Sequence, residues 1–302
     1  MIYDLIIIGA GPAGIAASVY AARKKINFQV ITKDIGGQAA WSADVENYPG
    51  YQFITGPDLV LKFQEHLRQY DLQLKEAEEV IELEKRDKII YIKTTKAGYE
   101  AKTAIIASGK RVKKLGVPGE NEYQNKGVAY CVTCDGPLFS GKDVAVVGGG
   151  NSALDAAIQL MNIANKVYLI NITDRLTGDA VMQEKIQNSQ KVIVLNNARV
   201  EAIAGDKFVT GIQIDTEANK QTLQVKGVFI EIGLMPNSWF ARGLEKNGKS
   251  EINVNCANET NVPGVFAAGD VTNVPEKQIV IAAGDGAKAA LGAFRYLARL
   301  KT

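Results

Sequence analysis

The fold of this chain follows first from residues 3–14, which read YDLIIIGAGPAG. The run Tyr3–Ile8 is apolar, as expected for a parallel strand that helices cover on both faces. Three glycines follow in the spacing G-x-G-x-x-G, and the alanine-rich stretch Ile15–Lys24 comes after them. This order predicts a strand, a tight glycine turn and a helix.

Each glycine of this turn has a separate role in binding a dinucleotide. Gly9 allows the tight turn, Gly11 lets the backbone approach a pyrophosphate, and Gly14 lets the helix pack close to the strand. The N-terminus of the helix offers free N–H groups and the positive end of a dipole to the anion. With Pro12 and Ala13, which complete the motif, these glycines form the first predicted dinucleotide site.

The same pattern returns in the middle of the chain. The apolar strand Asp143–Val147 leads into Gly148–Ala153, in which alanine replaces the third glycine, and Leu154–Asn162 is the next helical stretch. A second strand ends 18 residues after each motif, at Thr32 and at Asn171. Two copies in this context predict two bound dinucleotides. The second predicted site comprises Gly148, Gly150, Asn151, Ser152, Asn171 and Gly233.

The remainder of each half also repeats. Short alternating β-like runs follow each motif, and each series closes with an apolar strand that ends at a glycine, Gly109 or Gly233. The strand Gly264–Asp270 and the amphipathic helix Gln278–Arg299 come after the second half is complete. We therefore expect the C-terminal segment to return to the first domain.

These patterns predict an α/β fold of two Rossmann-like dinucleotide-binding domains, each with three ββα layers, the second inserted in the first. Residues 1–112 and 241–302 are expected to form the first domain, and residues 113–240 the second. The two crossings, Arg111–Gly116 and Pro236–Gly243, are short and paired, as a hinge requires.

The composition excludes several classes of protein. The chain has 302 residues, 46% hydrophobic and 23% charged, which is typical of an ordinary folded protein of about two domains. The net charge is +2, and no run of like charges marks a nucleic-acid partner. The uncharged segment Leu5–Ala22 follows Asp4 and is interrupted by glycines, unlike a membrane span or a signal peptide. We expect a cytoplasmic protein with no membrane or nucleic-acid partner.

The cysteines carry the second chemical signal. The chain has three, and the C-x-x-C spacing of Cys131 and Cys134 permits a redox-active disulfide. The alternatives are half of a zinc site or two inert core thiols, and zinc is disfavoured because Cys256 and the sole histidine, His66, lie at no ligand spacing. Cys256 is expected to be a small buried side chain. Asp135 is the nearest acid for the proton transfers of thiol exchange.

Together, these motifs resemble the low-molecular-weight thioredoxin reductase family, and more closely the reductase portion of the alkyl hydroperoxide reductase flavoprotein. The shared segments cover nearly the full length of the chain. They are Gly9–Gly14, Gly36–Gln38, Val45–Gly50, Cys131–Gly136, Gly148–Ala153, Gly269–Asp270 and Lys277–Ile279.

The resemblance implies FAD in the first domain and NADH or NADPH as electron donor in the second. It implies that Cys134 faces the flavin while Cys131 attacks the disulfide of a partner, which would be thioredoxin or a similar protein. It also implies a homodimer. Because the first strand begins close to Met1, we expect the carrier to be a separate protein. Beyond the first glycine motif, the implied FAD-binding residues are Gly36, Gly37, Gln38, Asn47, Gly109, Gly269, Asp270, Lys277, Gln278 and Ile279.

The nicotinamide site departs from the family pattern. Members of this type carry a His-Arg-Arg run and a further arginine after the second strand, and these cations hold the 2′-phosphate of NADPH. The matching residues 171–177 read NITDRLT and supply only Arg175, beside Asp174. Because Asn171 can bind a ribose diol without charge, we expect either that NADH is favoured over NADPH or that nicotinamide binding is weak altogether.

Three other functions remain open for the same fold. A ferredoxin-driven thioredoxin reductase would not need the missing cations. A flavin-dependent dithiol oxidase would pass electrons to oxygen, but the intact Gly148–Ala153 motif argues against it. A non-catalytic flavin sensor would use the cysteine pair only as a switch.

Overall fold

The computed structural model describes residues 1–42, 44–70, 72, 74–216 and 219–300, apart from the side chains of Asp44 and Cys134. The chain divides into two compact units. Unit 1 consists of Met1–Arg111 and Met235–Thr302, and unit 2 of Val112–Leu234.

The strands and helices follow in chain order. The strands are β1 Ile2–Ala10, β2 Phe28–Ile35, β3 Asp44–Val45, β4 Ile54–Thr55, β5 Leu74–Lys75, β6 Val80–Arg86, β7 Ile89–Thr94, β8 Gly98–Ile106, β9 Lys110–Val112, β10 Val128–Ala129, β11 Asp143–Val147, β12 Lys166–Ile170, β13 Val192–Leu195, β14 Ala198–Gly205, β15 Val209–Thr216, β16 Lys220–Gln224, β17 Gly227–Ile230, β18 Leu234–Pro236 and β19 Val265–Ala267. The helices are α1 Pro12–Arg23, α2 Gly56–Arg68, α3 Val132–Asp135, α4 Asn151–Met161, α5 Ala180–Gln187 and α6 Ile279–Arg299. Single 3₁₀ turns lie at Gly37–Trp41, Gly136–Phe139 and Gly269–Val271.

The central strand of unit 1 is buried on both faces. Leu5 and Ile7 of β1 belong to one core cluster, which α1 and α6 cover, whereas Ile6 and Ile8 belong to a second cluster on the other face. Burial on both faces explains why successive residues of β1 are apolar instead of alternating between apolar and polar. The sheet runs β5-β2-β1-β8-β7-β6, and β19 also pairs with β8.

One strand of unit 1 joins a parallel and an antiparallel part. The first half of β8 pairs antiparallel with β7, and its last residues, Ala104–Ile106, pair parallel with β19. The helices pack against the parallel part of the sheet, and β6 and β7 extend the same sheet as an antiparallel ribbon. The C-terminal segment therefore completes the sheet of the first domain, as the sequence predicts.

Unit 2 repeats this construction. Its parallel sheet runs β10-β17-β11-β12-β13, and β14, β15 and β16 form a separate antiparallel sheet. Val144 and Val146 of β11 face a core cluster with α4, whereas Ala145 and Val147 face a cluster with the antiparallel strands. The predicted fold class, two three-layer dinucleotide-binding domains with the second inserted in the first, is confirmed.

The second crossing lies earlier than the sequence suggested. The boundary falls between Leu234 and Met235 instead of after residue 240, because the intervening segment packs in unit 1. Phe240 is buried in a unit 1 core cluster, and its carbonyl accepts a 2.9 Å hydrogen bond from the Leu83 amide. The two crossing strands, β9 and β18, pair as a two-stranded sheet. Within the described stretches, no helix has the length and apolar character needed to cross a bilayer.

Candidate functional site

Packing of the backbone requires glycine at two positions of the first turn. A Cβ on Gly9, whose φ is +101°, would lie 2.4 Å from the Ala107 carbonyl oxygen. A Cβ on Gly14 would lie 1.9 Å from the Gly9 carbonyl oxygen, where α1 packs against the end of β1. Both contacts are closer than any Cβ can tolerate, so these glycines bring strand and helix together.

Gly11 differs from these two, because no contact within the described residues requires it to be glycine. Among those residues its Cβ would meet no atom closer than the Gly36 carbonyl oxygen at 3.9 Å, and its φ of −76° suits any residue. Gly11 is the N-cap of α1 and provides no side-chain cap to the first helical N–H groups. This leaves open space in front of a helix N-terminus, which is the setting that a pyrophosphate occupies in dinucleotide sites. The residues present therefore fit the pyrophosphate of FAD.

Two of the other predicted FAD residues of unit 1, Gly37 and Gly269, approach this turn from distant parts of the chain. A Cβ on Gly37 would lie 3.5 Å from the Gly11 Cα, and one on Gly269 would lie 3.0 Å from the Ala13 Cβ. The Asn47 side-chain amide donates a 3.0 Å hydrogen bond to Oε1 of Gln278, the N-cap residue of α6. The remaining predicted residues lie at the ends of elements of unit 1. Gly36 precedes the turn Gly37–Trp41, Gly109 precedes β9, and Ile279 begins α6. Gln38 Nε2 donates a 3.1 Å hydrogen bond to the Lys110 carbonyl.

A buried charge cluster adjoins Asp270. The Lys110 and Lys277 ammonium groups lie 2.9 and 3.3 Å from Glu251 Oε1, and Asn247 Nδ2 donates to Oε2 at 2.7 Å. Burial alone would raise the pKa of Glu251, but hydrogen bonds from Asn247, Lys110 and Lys277 lower it to about 2. Burial raises the pKa of Asp270, and the charges of Lys277 and Lys110 oppose that rise. Lys277 therefore stands in an ion-pair cluster whose acid, Glu251, the sequence did not identify.

The second glycine turn opens into a cavity of about 700 Å³ within unit 2. A Cβ on Gly148 would lie 2.3 Å from the Glu231 carbonyl oxygen, whereas the nearest atom to one on Gly150, among the residues that the structure describes, would be Thr177 Oγ1 at 3.9 Å. The glycines have the same two roles as in the first turn: Gly148 is required by packing, and Gly150 leaves room for a ligand. All of the residues predicted for the second dinucleotide line this cavity, namely Gly148, Gly150, Asn151, Ser152, Asn171 and Gly233.

Asn171 lines the cavity but has little hydrogen-bonding capacity left for a ribose. Its Nδ2 donates to the Thr173 carbonyl at 3.1 Å and to Asn196 Oδ1 at 2.9 Å, and its Oδ1 accepts from the Thr173 amide and hydroxyl. Only 3% of the residue is exposed. To bind the ribose diol as expected, Asn171 would have to give up one of these hydrogen bonds. Its observed role is to hold the loop that follows β12.

The cavity also contains charged residues that the sequence did not indicate. Arg199 and Glu231 line it, whereas Asp174 and Arg175, on which the expected nucleotide preference was based, do not. Glu231 directly follows β17, so the rule that ligands bind at the carboxyl ends of parallel strands could have pointed to it. Arg199 comes from the antiparallel sheet, and no local signal in the sequence marks it.

Glu231 gives a testable dependence of stability on pH. Burial, with a smaller contribution from the charge of Asp155, raises the pKa of Glu231 to about 7. Because the folded-state pKa lies above the unfolded one, the native state holds the proton more tightly, and this stability is lost as pH rises through 7. Relative to wild type, Glu231→Gln should therefore gain about 1–3 kcal/mol in unfolding free energy at about pH 9 and almost nothing near pH 4.

Urea unfolding across this pH range measures the effect. The exposed Glu184 of α5 provides the matched control, and Glu184→Gln should show no such trend. A gain for Glu231→Gln that is independent of pH would contradict a protonated, buried carboxyl.

The cysteine segment lies in unit 2 ahead of β11. Cys131 is disulfide-bonded and precedes the short helix α3, and the Asp135 amide donates a 3.1 Å hydrogen bond to the Cys131 carbonyl. Burial raises the pKa of the Asp135 carboxyl. The side chain of Cys134 lies outside the described residues. Cys256 is a free thiol and is exposed, so the expectation that it would be buried is wrong.

Comparisons with known proteins agree with this arrangement. The model of the pyridine nucleotide-disulphide oxidoreductase family matches residues 3–286. An alkyl hydroperoxide reductase protein of Xanthomonas campestris pv. phaseoli is 44% identical over 305 residues, which are 98% of this chain and 57% of that protein. One named NADH dehydrogenase from Ferdinandcohnia aciditolerans is 44% identical over 304 residues, 99% of this chain and 58% of that protein. The chain thus spans less than two thirds of the length of these relatives.

A solved structure extends the likeness to three dimensions. Thioredoxin reductase from Lactococcus lactis superposes with a TM-score of 0.84 at 33% identity, covering 98% of this chain and 99% of that one. The resemblance to thioredoxin reductases and to the alkyl hydroperoxide reductase flavoprotein is confirmed. The family model, the relatives and the two glycine turns agree, and the chain belongs to the pyridine nucleotide-disulphide oxidoreductase family.

Proposed function

We propose that this chain is an FAD-dependent disulfide reductase, which takes electrons from NAD(P)H and delivers them through a Cys131–Cys134 disulfide to thioredoxin or a similar protein. The observation that carries the proposal is the position of the disulfide-bonded Cys131 in the unit that also holds the open cavity behind Gly150. A reductase of this type needs one nucleotide site for its donor and a second for its flavin, and both glycine turns leave room for one.

The residues of unit 1 would hold FAD. The N–H groups at the start of α1 would bind the pyrophosphate, and the Asn47–Gln278 pair with Asp270 would supply polar groups for the ribityl chain and the ring. Bound FAD supplies the two-electron chemistry that links a nicotinamide to a disulfide. The ion pairs of Glu251 with Lys110 and Lys277 fix the segment that leads into α6.

The cysteines exchange electrons with the partner. The Cys131 thiolate attacks one sulfur of the partner disulfide, and the other partner sulfur leaves as a thiolate. Cys134 then attacks the Cys131 sulfur of the mixed disulfide, which restores the internal disulfide and releases the partner as a dithiol. Asp135 gives a proton to the leaving thiolate, a role that its raised pKa suits.

The donor is proposed to be NADH in preference to NADPH. Residues 171–177 provide no cluster of cations for a 2′-phosphate, and the cavity at this end is lined mainly by uncharged groups such as Asn171, Ile172 and Thr173. A homodimer is proposed from the resemblance alone, and a location in the cytoplasm from the sequence of the segment Leu5–Ala22. A ferredoxin-driven reductase is disfavoured, because such an enzyme would not need the open cavity at Gly150.

Steady-state kinetics test the donor and the reaction together. The flavin-loaded chain is assayed with thioredoxin disulfide as acceptor and with NADH or NADPH as donor. We expect turnover with both and a higher kcat/KM for NADH, by about tenfold or less, since the 2′-phosphate of NADPH would lose hydration without gaining a matching set of cations. A preference of about a hundredfold for NADPH would overturn the donor assignment, and no thioredoxin reduction with either donor would overturn the proposed acceptor class.

A further inference from the structure

A half-buried acidic residue, Glu231, lines the cavity of unit 2. Its amide donates a 2.8 Å hydrogen bond to the Val147 carbonyl at the end of β11, and its carbonyl oxygen would lie 2.3 Å from a Cβ on Gly148. The residue is therefore held beside the second glycine turn. Within the described residues, the Glu231 carboxyl makes no hydrogen bond and no ion pair. Its charge is thus available to act on a ligand in the cavity.

Glu231 lies on the side of the turn opposite to the position of the adenosine. In Rossmann-like folds the adenosine ribose lies beside the end of the second strand, here β12, and the pyrophosphate lies at the glycine turn after the first, here β11. The strand order is β17-β11-β12, and Glu231 directly follows β17. The nicotinamide half of a dinucleotide bound at this turn therefore belongs on the side of Glu231.

The titratable groups on the neighbouring elements do not neutralise Glu231. Burial, and to a smaller extent the charge of Asp155 on α4, raises the pKa of Glu231 to about 7. Tyr130 follows β10, and its hydroxyl donates a 2.7 Å hydrogen bond to Glu120 Oε1. The strand β11 ends at Val147, and the glycine turn that follows has no titratable side chain.

The cations that line the cavity are Lys113 and Arg199. The Lys113 amide donates a 3.0 Å hydrogen bond to the Gly233 carbonyl, whereas Arg199 follows a residue whose amide donates to the Asn171 carbonyl beyond β12. In the part of unit 2 that the structure describes, neither cation forms an ion pair with Glu231 or lowers its pKa. Once ionised, Glu231 therefore keeps its negative charge without a paired cation.

On the basis of the proposed nicotinamide site, we propose that Glu231 makes unit 2 distinguish NAD⁺ from NADH, by favouring the cationic ring of NAD⁺ when its carboxyl is ionised. The oxidised ring carries a positive charge and the reduced ring carries none, whereas the other charged groups of the two molecules are the same. A carboxylate attracts the oxidised ring, and a neutral carboxyl attracts neither ring by charge. Its repulsion of the pyrophosphate is common to both molecules and cancels in the ratio of their affinities.

The direction of the pH dependence follows from the pKa of Glu231. Below about pH 7 the carboxyl is neutral and the two rings are treated alike, and above it the carboxylate favours NAD⁺. The oxidised nucleotide is the product of the proposed reaction. Unit 2 should therefore retain this product more strongly as pH rises through 7.

Binding of two nucleotides to the full flavin-loaded chain tests this assignment. They are NAD⁺ and tetrahydro-NAD, an analogue that has a neutral ring like NADH but cannot transfer hydride, and calorimetry gives their dissociation constants. In wild type we expect the ratio of affinities, NAD⁺ over the analogue, to rise about threefold to tenfold between about pH 6 and about pH 8.5. In Glu231→Gln, which keeps a polar side chain without the charge, the ratio should not change with pH.

The matched control is Glu184→Gln, because Glu184 is an exposed acid of unit 2 that does not line the cavity. This variant should show the wild-type rise. A constant ratio in wild type, with both nucleotides bound, would overturn the proposal. So would a rise that persists in Glu231→Gln, and its loss in Asp155→Asn would then assign the effect to Asp155. If wild type bound neither nucleotide, the proposed nicotinamide site itself would be wrong, which distinguishes that failure from a failure of this inference alone.

Discussion

Serine in place of Cys131 is expected to stop reduction of thioredoxin disulfide almost completely. The proposed reaction has no other sulfur that can attack the partner, so kcat/KM should fall by at least about a thousandfold, as when a residue of a catalytic unit is removed. The flavin absorbance should still be bleached by NADH, because that transfer does not involve the sulfurs. Stopped-flow absorbance and an assay of thioredoxin reduction separate the two half-reactions.

The matched control for this variant is Cys256→Ser. Cys256 is exposed and free, and it lies in unit 1, whereas Cys131 lies in unit 2. Its replacement should change neither half-reaction. Reduction of thioredoxin at a near-normal rate by the Cys131→Ser variant would rule out the proposed role of the cysteine pair.

A valine at Gly11 is expected to expel FAD without unfolding the protein. The Cβ of the new side chain would meet no atom of the described residues closer than 3.9 Å, and the extended backbone of Gly11 accepts valine, so the fold should persist. The methyl groups would instead occupy the space for the pyrophosphate. Crowding of this kind costs about 1–3 kcal/mol, which corresponds to roughly 5- to 150-fold weaker binding of FAD.

Gly150→Val is the natural control, because Gly150 stands in the same position of the second turn. This variant should keep its flavin and lose affinity for NADH by a similar factor. Flavin content is read from absorbance after gel filtration, NADH affinity from fluorescence, and folding from circular dichroism. If both variants lost flavin equally, or if Gly11→Val retained it fully, the assignment of FAD to the first turn would fail.

Most of the fold could be predicted from the sequence because the signals that indicate it are local. The spacing of Gly9, Gly11 and Gly14 reports a strand, a turn and a helix within a few residues, and the structure explains Gly9 and Gly14 by the backbone oxygens that a Cβ at either position would strike. The second motif works in the same way. The domain boundary was less predictable, because Phe240 belongs to unit 1 through packing against distant residues.

The site was only partly predictable, for the same physical reason. Asn171 was identified from its place after a strand, but the sequence does not reveal that Thr173 and Asn196 use its amide. Arg199 reaches the cavity from a different sheet, so no spacing along the chain indicates it. The Asn47–Gln278 hydrogen bond joins positions 231 residues apart, and only the family resemblance pointed to both residues.

Counting thiols shows whether electrons from NADH reach the disulfide of Cys131. The flavin-loaded protein is treated anaerobically with NADH, quenched with an alkylating reagent under denaturing conditions, and weighed by mass spectrometry. The chain has three cysteines, of which Cys256 is free. We expect one alkylated cysteine before NADH and three after it, with dithiothreitol giving the same three. A count that stays at one with NADH but reaches three with dithiothreitol would mean that NADH does not reduce the disulfide of Cys131.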